Sequence, residues 1–166
     1  MVAQSKPMAQ GQSLYDVDYH LWVLETVNQL QNQDFDSLDL ENLIDELSDL
    51  SRREKRKLES LLTRLFEHLL KLGYWESEFA QNQAHWQGEV LNFRKQIKRE
   101  LRASPSLKPY LVEIFEECYQ DARELLATRS QLPISHFPKT PFANLETVLD
   151  EAWLPVVGDK HRGPDL

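Results

Sequence analysis

The sequence predicts an all-α fold, a bundle of four main helices plus a short C-terminal helix. Three observations support this prediction. Five glycines among 166 residues are few for an all-β chain with many tight turns. Apolar residues recur at every third or fourth position along most of the chain, as they do in amphipathic helices. No segment alternates apolar and polar residues for long enough to indicate a strand.

The first predicted helix lies in "SLYDVDYHLWVLETVNQLQNQ" at 13–33, where either Ser13 or Asp16 can cap its first turn. Six residues fall on one face at helical spacing: Tyr19, Trp22, Val23, Thr26, Val27 and Leu30. We therefore expect Trp22 to be a structural residue on the buried side of this helix.

The second predicted helix is long and begins at Asp39. One apolar stripe contains Leu40, Leu43, Ile44 and Leu47, and another contains Leu58, Leu61, Leu62, Leu65, Phe66, Leu69 and Leu72. The two stripes are in phase, since 18 residues make five turns between Leu40 and Leu58. Either one helix of roughly 50 Å has a polar middle, or it breaks near Ser48–Ser51. We expect a break or bend, because serine and aspartate side chains compete for backbone hydrogen bonds. Gly73 predicts the end of this helix, because glycine is frequent where helices stop.

The next segment, "YWESEFAQNQ" at 74–83, is predicted to be an aromatic-rich connection. The third helix then has a narrow apolar stripe typical of a bundle: Trp86, Val90, Phe93, Ile97 and Leu101. We expect Trp86 to be a core residue. Pro105 is a structural residue here, because it disfavours a helical conformation at Ser104 and so ends the helix.

Ser106 is the predicted cap of the fourth helix, and Pro109 is compatible with its first turn. The predicted inner face contains Leu111, Ile114, Phe115, Cys118, Ala122, Leu125 and Leu126. A short helix at about 144–153 follows a proline-rich linker. This helix contains Leu145, Val148, Leu149 and Trp153, which we expect to be structural residues.

The chain is predicted to form one domain over residues 13–155, with a flexible tail at 1–12 and a polar tail at 156–166. No apolar run approaches the roughly 18 residues that cross a bilayer. The first residues lack the apolar segment of a secretory signal. With a single cysteine, Cys118, no internal disulfide can form. We expect a cytoplasmic protein without a membrane partner.

The net charge of −8 argues against nucleic acid as the main partner. Residues 34–49 carry seven acids and no base, whereas "RREKRK" at 52–57 and "RKQIKRELR" at 94–102 are basic. The simplest interpretation is solvated helix faces. The alternative is a nucleic-acid-binding regulatory protein, which would need both basic runs on one exposed face.

A metal-dependent helical-bundle enzyme is a further alternative, because helical bundles hold metals through inward histidines and carboxylates. The candidate ligands are His20, Glu46, His68 and His85, with Asp45 beside them. No HxxxH or ExxH pair occurs, and such pairs are the local spacing by which helical metal sites are recognised. We therefore expect no metal, no cofactor and no catalytic residue.

Two further patterns are interpreted as structural. In "EHLLKLGYW" at 67–75, Glu67 and Lys71 have the i, i+4 spacing of a surface ion pair, and His68 lies at the edge of the core. We expect His68 to be structural. Glu46 and Arg94 are predicted to form a salt bridge between the second and third helices.

Five motifs occur in order: "YDVDYHLW" at 15–22, "LDLENLIDEL" at 38–47, "HLLK" at 68–71, "RKQIKRELRASPSLKPYL" at 94–111 and "FPKTPFANLETVLDEAWLP" at 137–155. In this combination the chain resembles DUF29, a bacterial and largely cyanobacterial family of unknown function, over about 14–155. It departs from the family at Leu40, where tryptophan is frequent, and at Thr140, where cysteine is frequent. These departures argue against a cysteine-based site.

The resemblance implies a compact helical domain and supplies no activity. Together with the missing catalytic motifs, it favours a protein-interaction or regulatory module without catalysis. Its partner would be another protein or a second copy of the chain.

Overall fold

The computed structural model describes residues 13–156, which form helices, turns and loops without a strand. The all-α prediction is confirmed. The α-helices are α1 (Leu14–Val17), α2 (Tyr19–Gln31), α3 (Leu40–Tyr74), α4 (Glu76–Ala103), α5 (Lys108–Glu113), α6 (Phe115–Ser130) and α7 (Leu145–Leu149). Short 3-10 helices lie at Pro105–Leu107 and Ile134–His136. The predicted tail at 1–12 and residues 157–166 of the predicted C-terminal tail lie outside the described residues.

Contacts divide the chain into two compact units, unit 1 (Met1–Ser51) and unit 2 (Arg52–Leu166). Helix α3 runs through the boundary between them. The prediction of a single domain over residues 13–155 stays a prediction.

In unit 1, the first predicted helix is divided into α1 and α2. The Ser13 side chain caps α1 by accepting from the Asp16 amide, so Asp16 is not the cap. Asp18 ends α1 and caps α2, where its carboxylate accepts from the Leu21 amide at 3.0 Å. Each Asp or Ser side chain therefore satisfies an amide that the helix start leaves without a backbone partner.

Helix α3 is continuous over 35 residues, so the predicted break near Ser48–Ser51 is wrong. It begins directly after Asp39, as predicted, and Asp39 Oδ1 accepts from the Asn42 amide at 3.4 Å. Continuing an established helix adds one hydrogen bond per residue, and the glutamate, leucine, arginine and lysine residues around the serines favour it. Its last residue is Tyr74, one beyond the predicted stop at Gly73.

Helix α4 begins at Glu76, so most of the predicted connection at 74–83 is helical. Only Trp75 separates α3 from α4. Glu76 and Glu78 lie in the first turn, where carboxylates interact favourably with the positive end of the helix dipole. The helix ends at Ala103, and exposed Pro105 follows in a 3-10 turn, which confirms the predicted terminus.

The fourth predicted helix is interrupted at Ile114, between α5 and α6. Ser106 lies inside the preceding 3-10 turn and does not cap α5, whereas Pro109 does lie in the first turn. Most of the predicted inner face is buried, but Leu125 is exposed. Helix α7 is shorter than predicted, and Asn144 caps it by accepting from the Thr147 amide at 2.9 Å.

The core of unit 2 is built from the C-terminal half of α3 packed with α4, α5, α6 and α7. Leu58, Leu62, Leu65 and Leu69 have no exposed surface, and Trp86 of α4 is almost fully buried. Other core residues are Val90, Phe93, Ile97, Leu111, Cys118, Tyr119, Ala122, Leu126, Phe137 and Val148. The predicted core roles of Trp86 and of the third-helix stripe agree with this arrangement, apart from Leu101 at its edge.

Candidate interaction surface

Unit 1 exposes most of its large apolar side chains. Of its described residues only Trp22 and Thr26 are buried. Eleven large apolar residues are exposed and together are named the open apolar surface: Val17, Tyr19, Leu21, Leu24, Val27, Leu30, Phe35, Leu40, Ile44, Leu47 and Leu50. Six others are exposed in the described part of unit 2, which is far longer. Exposed apolar surface is therefore concentrated in the first unit.

Helix α3 contributes four of these residues, Leu40, Ile44, Leu47 and Leu50, which are named the open stripe. They follow the helical spacing of one face. The sequence predicted that Leu40, Ile44 and Leu47 point inward, and this prediction is wrong, since each is more than half exposed. Periodicity correctly placed them on a common face, but within residues 13–156 no segment covers that face.

Helix α2 has apolar residues on more than one side. Trp22 and Thr26 occupy its buried side, whereas Leu21, Leu24 and Val27 are exposed. The exposed leucine and valine side chains of α2 therefore add to the open apolar surface.

Aromatic residues and carboxylates hold α1 and α2 against the first turns of α3. Glu46 accepts hydrogen bonds from Tyr15 Oη at 2.7 Å and from Tyr19 Oη at 2.9 Å. The hydrogen bond to Glu46 raises the pKa of Tyr15 to about 12. Trp22 Nε1 donates to Asp39 Oδ2 at 3.2 Å, and the Trp22 ring packs edge-on against Tyr15. The predicted structural role of Trp22 agrees with this geometry.

The formal charge of residues 13–51, the described part of unit 1, is entirely acidic. Residues 13–51 contain no lysine or arginine and ten carboxylates: Asp16, Asp18, Glu25, Asp34, Asp36, Asp39, Glu41, Asp45, Glu46 and Asp49. Glu41 precedes Ile44 of the open stripe by three residues. Residues three apart are neighbours on a helix surface, so this carboxylate lies beside the stripe. The open apolar surface therefore lies in a strongly anionic surrounding.

Glu46 and Arg94 each have partners within their own unit, and the predicted salt bridge between them stays a prediction. Glu46 holds the two tyrosines, whereas Arg94 Nε donates to the Val148 carbonyl at 2.7 Å. Burial lowers the pKa of Arg94, although nearby Asp150 and Glu151 oppose this effect. Trp153 lies 6.0 Å from the guanidinium, in a cation–π contact. These contacts link α4 to the region of α7 and agree with structural roles for Arg94 and Trp153, which stay predictions.

The candidate metal ligands do not converge. His20 and His85 are exposed, and His68 is half-buried. Within residues 13–156, no three histidine, cysteine, aspartate or glutamate side chains are grouped as a metal site requires. The expectations of no metal, no cofactor and no catalysis stay predictions.

The segment around His68 has a structural arrangement. Glu67 is buried and pairs with Lys71 at 2.8 Å and with Arg129 of α6 at 2.6 Å. The predicted Glu67–Lys71 pair is present, but it is buried rather than on the surface. Burial alone raises the pKa of Glu67, yet Lys71 and Arg129 lower it below the ordinary value.

His68 itself contacts its own helix and α4. Its Nδ1 donates to the Arg64 carbonyl at 2.9 Å, and its ring packs 5.3 Å from Phe93. Burial lowers the pKa of His68, because the charged imidazolium is less well solvated there. Both observations agree with a structural role for His68, which stays a prediction.

The two basic runs meet in unit 2, but several of their cations have partners within the chain. Lys57 Nζ lies 2.7 Å from Glu100, and Lys98 Nζ lies 2.9 Å from Glu151. Lys55 packs on the Tyr110 ring, and Arg94 is buried. These contacts reduce the number of cations that can meet a phosphate backbone.

Sequence reasoning missed the open apolar surface because it treated every apolar stripe as core. Two signals in the sequence were available: α2 has apolar residues outside its main stripe, and residues 13–51 contain no lysine or arginine. The first indicates a helix with more than one apolar face, and the second an anionic surface.

Comparison with known proteins agrees with the motif pattern. Among the described helices, none combines the length and apolar character needed to cross a membrane. Neither a curated protein nor a solved structure matches the chain. The family model of the domain of unknown function DUF29 matches residues 14–154. Because this match covers most of the sequence, the chain belongs to the DUF29 family.

Proposed function

We propose that this protein is a non-catalytic protein-interaction module, with a regulatory role that follows from partner binding. The observation that carries the proposal is the open apolar surface of unit 1, where eleven large apolar residues are exposed and two residues are buried. Apolar patches of this kind on otherwise polar proteins mark binding sites. Covering a large apolar side chain contributes about 1.5–3 kcal/mol, so a partner on this surface gains substantially.

The scaffold beneath the surface supports the same proposal. Glu46 fixes Tyr15 and Tyr19, and Asp39 fixes Trp22, so α1, α2 and the start of α3 are already linked before any partner arrives. A preorganised surface loses less conformational entropy on binding than a disordered one.

Photo-crosslinking in the native host tests the proposal. A photo-reactive amino acid replaces Ile44 in the open stripe, and a matched variant carries it at Val112, which is similarly exposed in unit 2. We expect a crosslinked protein, identified by mass spectrometry, at Ile44 and not at Val112. Equal crosslinking at both positions, or none at Ile44, contradicts the proposal.

Nucleic-acid binding is a second candidate function, and one observation favours it. The basic runs at 52–57 and 94–102 are brought together where Lys57 meets Glu100 and Glu54 accepts from Ser104. The ion pairs that already engage Lys57 and Lys98 weaken this candidate.

A salt series separates the two candidates. If the basic runs bind nucleic acid, labelled duplex DNA binds with an affinity that falls steeply as salt rises. Arg53→Gln together with Arg99→Gln, both exposed, would then weaken binding and flatten the slope. We expect no binding of DNA at physiological salt, since the net charge is −8.

A further inference from the structure

We infer that the partner segment for the open stripe is a basic amphipathic helix. The inference rests on the proposed interaction function and adds the chemical class of the partner. It starts from the shape of the stripe: Leu40, Ile44, Leu47 and Leu50 form a straight apolar row on a helix, all more than half exposed. A second helix with its own apolar face is the element that packs along such a row.

The C-terminal half of α3 already packs against other helices. From Leu58 to Leu72 the in-phase stripe of α3 is buried within the helical core of unit 2. Side chains at i, i+4 and i+7 make ridges and grooves of one kind along the whole stripe. The open stripe therefore has the surface pattern that α3 elsewhere uses to contact helices.

Charge selects the type of helix. Glu41 borders the open stripe, and residues 13–51 have ten carboxylates without a lysine or arginine. Lysine and arginine side chains on the polar edges of a docked helix can reach these carboxylates while their aliphatic parts cover apolar surface. An acidic helix, a nucleic acid or an anionic lipid surface meets repulsion at the same place.

A second copy of the chain fits less well for the same reason. If two open stripes packed in parallel, the carboxylates of residues 34–49 in both copies would face one another with no lysine or arginine among them. Like charges placed together across an interface oppose binding. A basic partner has no such conflict.

The test uses the full chain and three labelled synthetic peptides of about 18 residues, long enough for five helical turns. One peptide has leucine along one helical face and lysine elsewhere. The second has the same composition scrambled so that no leucine face forms, and the third replaces lysine by glutamate. We expect the first peptide to bind on the order of tenfold more tightly than the other two, measured by fluorescence anisotropy.

Two variants locate the binding site. The triple variant Leu40→Ser, Ile44→Ser, Leu47→Ser should weaken binding of the first peptide about tenfold, whereas Val112→Ser, Leu125→Ser, Ile134→Ser in unit 2 should not. Circular dichroism checks that both variants keep their helices.

The charge variant Glu41→Lys keeps the stripe intact, places a cation beside it and should weaken binding severalfold. Its matched control is Glu124→Lys, which reverses one exposed carboxylate of α6 and should leave affinity unchanged. This variant pair keeps the inference testable if the triple variant is misfolded.

The outcomes distinguish this inference from the proposed function. Equal binding of the striped and scrambled peptides, or an unchanged affinity of the charge variant, overturns the basic-helix inference. Concentration-dependent dimerisation lost in the triple variant overturns it in favour of a second copy. If Ile44 still crosslinks an identified protein in the host, the interaction function stands although the partner is not a basic helix.

Discussion

Two stretches of α3 share one apolar stripe and have opposite surroundings. At Leu58 the exposed fraction is 0%, and at Leu40, five turns earlier on the same face, it is 58%. The first stretch is covered by helices of unit 2, whereas no described residue covers the second. The comparison teaches that periodicity identifies an apolar face and says nothing about what covers it.

The two stretches also differ in their charged neighbours. Around the buried stretch, Glu67 is paired with Lys71 and Arg129 from within the chain. Around the open stripe, residues 13–51 offer no lysine or arginine to their carboxylates. The buried stretch thus contains a carboxylate paired with cations, whereas the open stripe lies in a segment of acidic composition.

The largest loss of stability is expected for a substitution in the buried core. Trp86→Ala should destabilise the protein by about 3–5 kcal/mol, because a nearly fully buried indole leaves a large cavity. Urea denaturation measures the loss. Leu91→Ala on the exposed side of the same helix is the control and should change little. A loss below about 1 kcal/mol for Trp86→Ala would mean that this stripe is not core.

Two leucines of α3, buried Leu65 and exposed Leu47, test the difference between the buried and the open stretch. Leu65→Ala should destabilise by about 2–5 kcal/mol, whereas Leu47→Ala should change the free energy of unfolding by about 0.5 kcal/mol or less. Both substitutions remove the same atoms from the same helix. The difference between their losses of unfolding free energy therefore reports how deeply each leucine is buried. Equal losses in urea denaturation would show that the open stripe is buried in solution.

The next largest effect on stability is expected for the ion pairs of buried Glu67. Glu67→Gln should destabilise by about 1–3 kcal/mol at neutral pH, because Lys71 then loses its carboxylate in a largely buried setting. Lys71 and Arg129 lower the pKa of Glu67, so the unfolded state binds its proton more readily. The stabilisation is thus present above the unfolded pKa near 4.5 and is lost as pH falls through the lower folded pKa.

Urea denaturation of wild type and Glu67→Gln at neutral pH and in acid measures this dependence. The difference between the two proteins should shrink in acid. A difference that is constant with pH would show that the charge of Glu67 does not contribute.

The smallest effect concerns His68. His68→Gln should change stability by about 1 kcal/mol or less, because glutamine can also donate to the Arg64 carbonyl. Burial lowers the pKa of His68, so the unfolded state binds more protons and wild type loses stability as pH falls below about 6.5. The variant should lack this part of the pH dependence. An unchanged thermal melt with abolished partner binding would instead reveal a functional histidine.

The fold was largely predictable because local rules dominate it. The Asp39 start of α3, the end of α4 before Pro105 and the buried position of Trp86 follow from capping, proline geometry and periodicity. The errors came where local signals compete. Ser48 and Ser51 suggested a break, but helix propagation through strong helix formers prevailed.

The candidate site was less predictable, since it depends on which partner a side chain finds in three dimensions. Glu46 was expected to meet Arg94, yet two tyrosines 31 and 27 residues earlier bind it. Leu40 and Ile44 have the spacing of core residues, and spacing alone cannot distinguish a helix of the same chain from a helix of another protein.

Buried Cys118 is a natural reporter for one of the two units. It is the only cysteine of the chain, its Sγ contacts the Glu59 carbonyl at 3.7 Å, and burial raises the pKa of its thiol to about 11. Thiolate is the reactive form, so alkylating reagents modify this side chain only when α6 moves away from α3. Alkylation rates therefore measure the opening of unit 2 directly, in native buffer and without any engineered label.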